Sequence, residues 1–203
     1  MNEQQLVSQI INEEWNQFQH TNNEGGRANC QGNKPMFQIM RASQFDTWPQ
    51  PLLESYLSDL QAADASGRNL VTEKYARMMA STAPSIYQRD LEPYLPVLSE
   101  QRVAQQERII AQQLAWARDF VNRYPRLGAG MRVLETAQDT EESTSFETYL
   151  RGELGTYSQR TLDLYQQFVN DLASKQENLT EQTVRNTVRL SGFDSLDEAE
   201  QAQ

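Results

Sequence analysis

Apolar residues recur along this chain at the spacing of helix turns. Leu6, Ile10, Ile11, Trp15 and Phe18 form one stripe over residues 3–20, with Glu and Gln on the opposite side. A longer stripe, Val103, Ile110, Leu114, Ala117 and Val121, predicts a helix from Ser99 to Tyr124. The same reading predicts helices at about 36–47, 50–66, 69–81, 143–155, 158–174 and 178–191. Asn69, Ser158 and Asn178 stand where side chains cap helix starts, as does Ser99, while Gly67 and Gly192 stand where helices stop. No stretch alternates apolar and polar residues with the Val, Ile and Thr content of a strand. The fold class expected is all-α, with no significant sheet.

The second half repeats the first. An offset of 109 residues aligns Phe37 with Phe146, Trp48 with Tyr157, Leu53 with Leu162, Tyr56 with Tyr165 and Asn69 with Asn178. These are core and cap positions, so the expectation is an internally duplicated helical bundle with pseudo-twofold symmetry. The unit is too long for a solenoid repeat. Residues 1–203 then form a single all-α domain of two halves, about 1–90 and 99–193. A proline-containing connection, 82–98, joins them, and the acidic tail 194–203 is expected to fray. The 24 glutamines read as solvated helix faces rather than as a low-complexity segment.

Composition then narrows the chemistry. With 18 Lys+Arg against 28 Asp+Glu, the net charge of −10 argues against nucleic acid as a main partner, since that binding rests on cations meeting phosphates. One Cys and one His cannot supply an internal disulfide, the usual structural zinc site or a ferritin-like di-iron centre, so no metal or cofactor is expected. No apolar run approaches a membrane span, and the start MNEQQLVSQI lacks the features of a signal peptide. The expectation is a cytoplasmic protein without membrane contact.

One segment breaks the periodicity. HTNNEGGRANCQGNKPMFQIMR, residues 20–41, holds the single His, the single Cys and a Gly-Gly pair. Gly25 and Gly26 can turn backbone N–H groups toward an anion, and Arg27 and Arg41 can offer planar forks to a carboxylate or phosphate. Glu24 can orient an arginine or exchange a proton. The plainer reading is that the glycines reverse the chain and Arg27 pairs with Glu24. Cys30 is either a nucleophile activated by a basic neighbour or a buried, inert thiol. His20, at the end of the first helix, suits the helix dipole. Glu73 and Arg77 are spaced as a surface ion pair, although both can also turn inward.

The strings NNEGGRANCQ, FQIMRASQF, GRNLVTEKYARMM and SFETYLRGEL resemble an uncharacterised bacterial family, domain-of-unknown-function family 4125, over Trp15 to about Phe193. The resemblance implies membership rather than a reaction. It also implies that some relatives are joined to a nucleotidyltransferase-like domain, which is not found in this chain.

Two functions follow. In the first, the protein binds a small anionic metabolite at the loop after the first helix, using Glu24, Gly25, Gly26, Arg27, Cys30, Gln31, Arg41, Glu73 and Arg77, with no reaction or catalytic residue assigned. In the second, it is a protein-interaction or accessory module, as a homodimer or for a nucleotidyltransferase-like partner. The sharpest expectation is that Glu24, Arg27 and Arg41 form one cluster with surplus positive charge, so that removing Arg41 costs the unliganded protein little.

Overall fold

The structure, a computed structural model, describes residues 1–21 and 29–203. Its helices are α1 Glu3–Gln19, α2 Lys34–Phe45, α3 Gln50–Ala65, α4 Leu70–Thr82, α5 Pro84–Ile86, α6 Glu100–Arg123, α7 Pro125–Ala129, α8 Phe146–Leu154, α9 Gln159–Ser174, α10 Leu179–Leu190 and α11 Leu196–Ala202. There is no strand among the described residues, and the fold is all-α.

Side-chain caps set the helix starts. Asn2 and Gln5 close a reciprocal capping box on α1, at 2.9 and 3.0 Å. Asn69 accepts from the Thr72 N–H, Ser158 from Thr161 and Asn178 from Glu181, each satisfying an amide that the helix leaves open. At the helix ends Gly67 and Gly192 take left-handed φ of 71° and 96°, where a side chain is unfavourable. The turn after α9 makes the same reversal with a non-glycine, Gln176, at φ 58°.

The helices of the two halves interlock. α4 packs on α8 and α10 on α2, while α1 lies on α2, α3 and α4, and α6 on α8, α9 and α10. α3 and α9 have equal lengths and start 109 residues apart, at Gln50 and Gln159; α4 and α10 start at the same offset, at Leu70 and Leu179. The cap residues are themselves held alike: Asn69 donates its Nδ2 to the Gln17 carbonyl and Asn178 to that of Trp116. Phe45, Trp48, Tyr56, Tyr157 and Tyr165, all buried, form the aromatic centre between the halves. Tyr56 and Tyr157 lie 5.2 Å apart and Trp48 and Tyr165 5.4 Å, in tilted contacts that suit aromatic quadrupoles.

Three expectations are corrected. Val103 is not on the buried stripe of α6; it is 40% exposed, and Gln106, Ile109, Gln113, Ala117 and Phe120 face the core instead. Several glutamines are core residues rather than solvated ones. Gln113 donates to the Tyr165 hydroxyl and Gln106 to the Leu154 carbonyl, while Gln17 accepts from the Leu70 N–H at the start of α4. A buried amide is stable where its donors and acceptors are met, and the glutamine carboxamide offers both. The acidic tail is also ordered as α11. Ser195 caps the Glu198 N–H, Leu196 and Ala199 are buried beside Phe120, and Glu200 accepts from the Arg126 and Leu127 amides that open α7.

Candidate functional site

Four charged side chains meet inside the bundle. Glu14 of α1 receives the Arg41 fork from α2 through Nε and Nη2, both at 2.6 Å. Glu153 of α8 receives Lys74 Nζ from α4 at 2.8 Å and lies 3.6 Å from Arg41 Nη2. Neutral groups fill the remaining positions. Tyr56 donates to Glu14 at 2.7 Å, Tyr157 donates to Glu153 at 3.0 Å, and Gln44 bridges Arg41 to Glu153 at 2.7 and 2.8 Å. No side chain among the four charges is more than 10% exposed.

Two cations thus face two carboxylates, and the assembly is neutral. Burial alone would lower the Arg41 guanidinium, but Glu14 and Glu153 more than offset it and hold it well above its ordinary value. Burial would likewise lower Lys74, yet Glu153 raises it. Burial would raise the Glu153 carboxyl, and the charges of Lys74 and Arg41 bring it well below the usual carboxylate range. Tyr56 and Tyr157 are raised by burial and by the neighbouring carboxylates, so both stay neutral donors.

Sequence reasoning missed Glu14 and Lys74 as partners. A signal was present. Each charge interrupts an apolar stripe at the spacing of one turn: Ile10, Glu14, Phe18; Phe37, Arg41, Phe45; Leu70, Lys74, Met78; Leu150, Glu153, Tyr157. A charge on the core face of a helix must find an opposite charge on another helix.

The candidate residues fare differently. Glu24, Gly25, Gly26 and Arg27 lie outside the described residues, as does the side chain of Cys30. Gln31 is 1% exposed and donates to the Phe18 and Thr21 carbonyls, tying the turn before α2 to the end of α1. His20 Nδ1 lies 2.8 Å from the Asn16 carbonyl, in keeping with a place at the helix end. Among the described residues no surplus charge is found around Arg41, because Glu14 fills its fork. Glu73 pairs with Arg68, at 2.8 Å, and not with Arg77 one turn along. A separate polar cluster joins α8 to α6, in which Arg151 holds Glu107 of α6 and Glu147 of its own helix.

Arg77 instead crosses from α4 to the other half. Its arm lies over Gly155, where a Cβ would come within 2.6 Å of Arg77 Cδ, and its Nη2 donates to the Pro96 carbonyl at 2.7 Å. Arg102, from the first turn of α6, reaches the same bend and donates from Nη2 to the carbonyls of Leu154 and Tyr157. Among the described residues neither arginine has a carboxylate within ion-pair distance, and the Nε of each is buried without a partner. Burial lowers both guanidinium groups, and the charge of Arg77 lowers Arg102 further. Tyr75, which meets Phe18 of α1, leaves α4 about 200° away from Arg77 at 100° per residue, so Arg77 points away from the α1 side of α4.

A cavity of about 370 Å³ between the start of α3 and α9 is lined by Trp48, Pro49, Leu164, Phe168, Asp171 and Lys175 and contains none of the candidate residues. No group of three or more His, Cys, Asp or Glu suited to a metal ion occurs among the described residues. No helix among them is long and apolar enough to cross a membrane.

Fold and interior define a class: an interlocked all-helical protein organised around a neutral buried charge network. A family model described as protein of unknown function (DUF4125) matches residues 4–201, and the chain belongs to that family. No curated protein and no solved structure matches it.

Proposed function

We propose that this protein binds a small anionic ligand, with Arg77 and Arg102 as the groups that hold it. The observation that carries the reading is their isolation. The network cations Arg41 and Lys74 each meet a carboxylate, whereas these two half-buried arginines converge on the Gly155 bend with backbone carbonyls as their acceptors among the described residues. A bound oxyanion would relieve their mutual repulsion and accept from guanidinium donors in planar geometry. The loop carrying Glu24, Gly25, Gly26 and Arg27 remains a second candidate site for such a ligand. The two halves are, in this reading, copies of one unit. The counterpart of Arg77 at the 109-residue offset is Asn186, which donates to the Ser43 carbonyl, so the pair joins one arginine from each half and is not repeated at that offset.

Thermal unfolding and calorimetry with inorganic phosphate and acetate test the reading. At 100 times its Kd a ligand adds about 2.7 kcal/mol to stability. The wild type should show that gain, and Arg77→Gln and Arg102→Gln, checked for folding by circular dichroism, should lose it. Failure of the wild type to bind phosphate or any small carboxylate, or full retention of binding in Arg77→Gln, refutes the assignment.

A further inference from the structure

The arginine pair does not stand in a uniformly positive surface. Next to Tyr157, whose carbonyl accepts from Arg102, the Ser158 N–H donates to Asp59 Oδ2 at 2.8 Å. Asp163 Oδ1 accepts from Gln159 and from Gln105, both at 2.8 Å, and Gln105 lies one turn beyond Arg102 on α6. These two carboxylates, from α3 and α9, flank the bend on the side of residues 158–163, while the guanidinium groups lie over residues 154–157. Neither carboxylate closes an ion pair with either arginine among the described residues, although both charges bear on Arg102. Positive and negative groups are therefore placed side by side without neutralising one another. Asp59 is half-buried and Asp163 exposed, so a ligand has access to at least one of them.

A simple anion gains from the arginines and is repelled by the neighbouring aspartates. A molecule with an amine a short distance from its carboxylate gains from both. We propose that the ligand is a small zwitterion, an amino acid in the broad sense, with its carboxylate on Arg77 and Arg102 and its ammonium toward Asp59 and Asp163. The inference rests on the anion-site reading above and narrows it to one chemical class.

Calorimetric titration of the full chain separates the two. Glycine, β-alanine and 4-aminobutyrate are compared with the amine-free acids of equal length, acetate, propionate and butyrate, and with inorganic phosphate. At least one amino acid should bind about tenfold or more tightly than its amine-free counterpart. In the double variant Asp59→Asn, Asp163→Asn each amide oxygen can still accept the Ser158, Gln105 and Gln159 bonds. There the amino-acid advantage should vanish while the amine-free acids bind more tightly than in the wild type. If phosphate or the amine-free acids bind and no amino acid binds better, the zwitterion inference fails and the anion site stands. An advantage that survives the double variant also overturns it. If nothing in the series binds the wild type, the anion-site reading fails with it.

Discussion

Replacing Arg41 by Met separates a structural cation from a ligand-binding one. The substitution keeps an unbranched apolar stem but removes the fork that Glu14 receives at 2.6 Å through both nitrogens. Glu14 Oε1 would keep the Tyr56 hydroxyl, whereas Oε2 would lose its donor and Gln44 Oε1 would lose the Arg41 Nη1 bond. With side chains 9% and 4% exposed, water cannot replace these bonds without opening the core. Breaking a buried pair by removing one partner costs about 3–5 kcal/mol, since the remaining charge is stranded. For a chain of this size each kcal/mol moves Tm by about 2–4 °C, which predicts a fall of roughly 10 °C. Urea unfolding at pH 7 should give the same loss with little change in slope. Adding Glu14→Gln should recover part of it, because the stranded charge is gone. A loss below about 1 kcal/mol for Arg41→Met would refute the reasoning and restore the expectation that Arg41 carries surplus charge.

Acid stability should report Glu153. Its carboxyl is depressed when folded, so its contribution is present above the unfolded carboxylate value of about 4.3 and is lost as pH falls below it. Glu153→Gln should therefore be less stable than the wild type at pH 7 and show a shallower decline in urea midpoint between about pH 5 and pH 3; parallel curves would contradict this. Gly152→Ala places a methyl 2.9 Å from the Lys74 carbonyl and from Met78 Cγ, forcing α4 from α8 at a cost of about 1–3 kcal/mol in urea unfolding. An unchanged midpoint would mean that the two helices separate freely. Gln176→Gly removes a side chain from left-handed backbone and should stabilise by about 0.5–1 kcal/mol in the same assay, while a loss would show that the Gln176 side chain has a role of its own.

Helix existence and most boundaries were legible because they depend on local chemistry. Asn69, Ser158 and Asn178 announce helix starts by side chains that reach amides three residues on, and Gly67 and Gly192 announce stops by backbone freedom. The helix expected at 36–47 runs Lys34–Phe45, since Pro35 is acceptable in a first turn, where its missing N–H is not needed. The charge network was less legible because its partners are joined only by folding. Glu14 meets Arg41 across 27 residues and Lys74 meets Glu153 across 79. A charge on a stripe says that a partner is needed without saying which one. Arg77 entered the candidate set from its spacing to Glu73, but Arg102 did not, since its bonds are to carbonyls of Leu154 and Tyr157 that have no signature in sequence.

The order in which the network's members are synthesised bears on how a ribosome can deliver this protein. Arg41 and Lys74 emerge with Glu14 as the sole network carboxylate, and Glu153 follows Lys74 by 79 residues. At about 5–20 residues per second, that gap lasts roughly 4–16 s. Until it closes, a compact first half would enclose one ammonium ion without a counterion, and α4 would have α1 but lack α8. On this order of synthesis the nascent first half is expected to stay open until α8 emerges, with apolar faces uncovered. A message cut short before α8 yields a fragment for degradation rather than a smaller working protein.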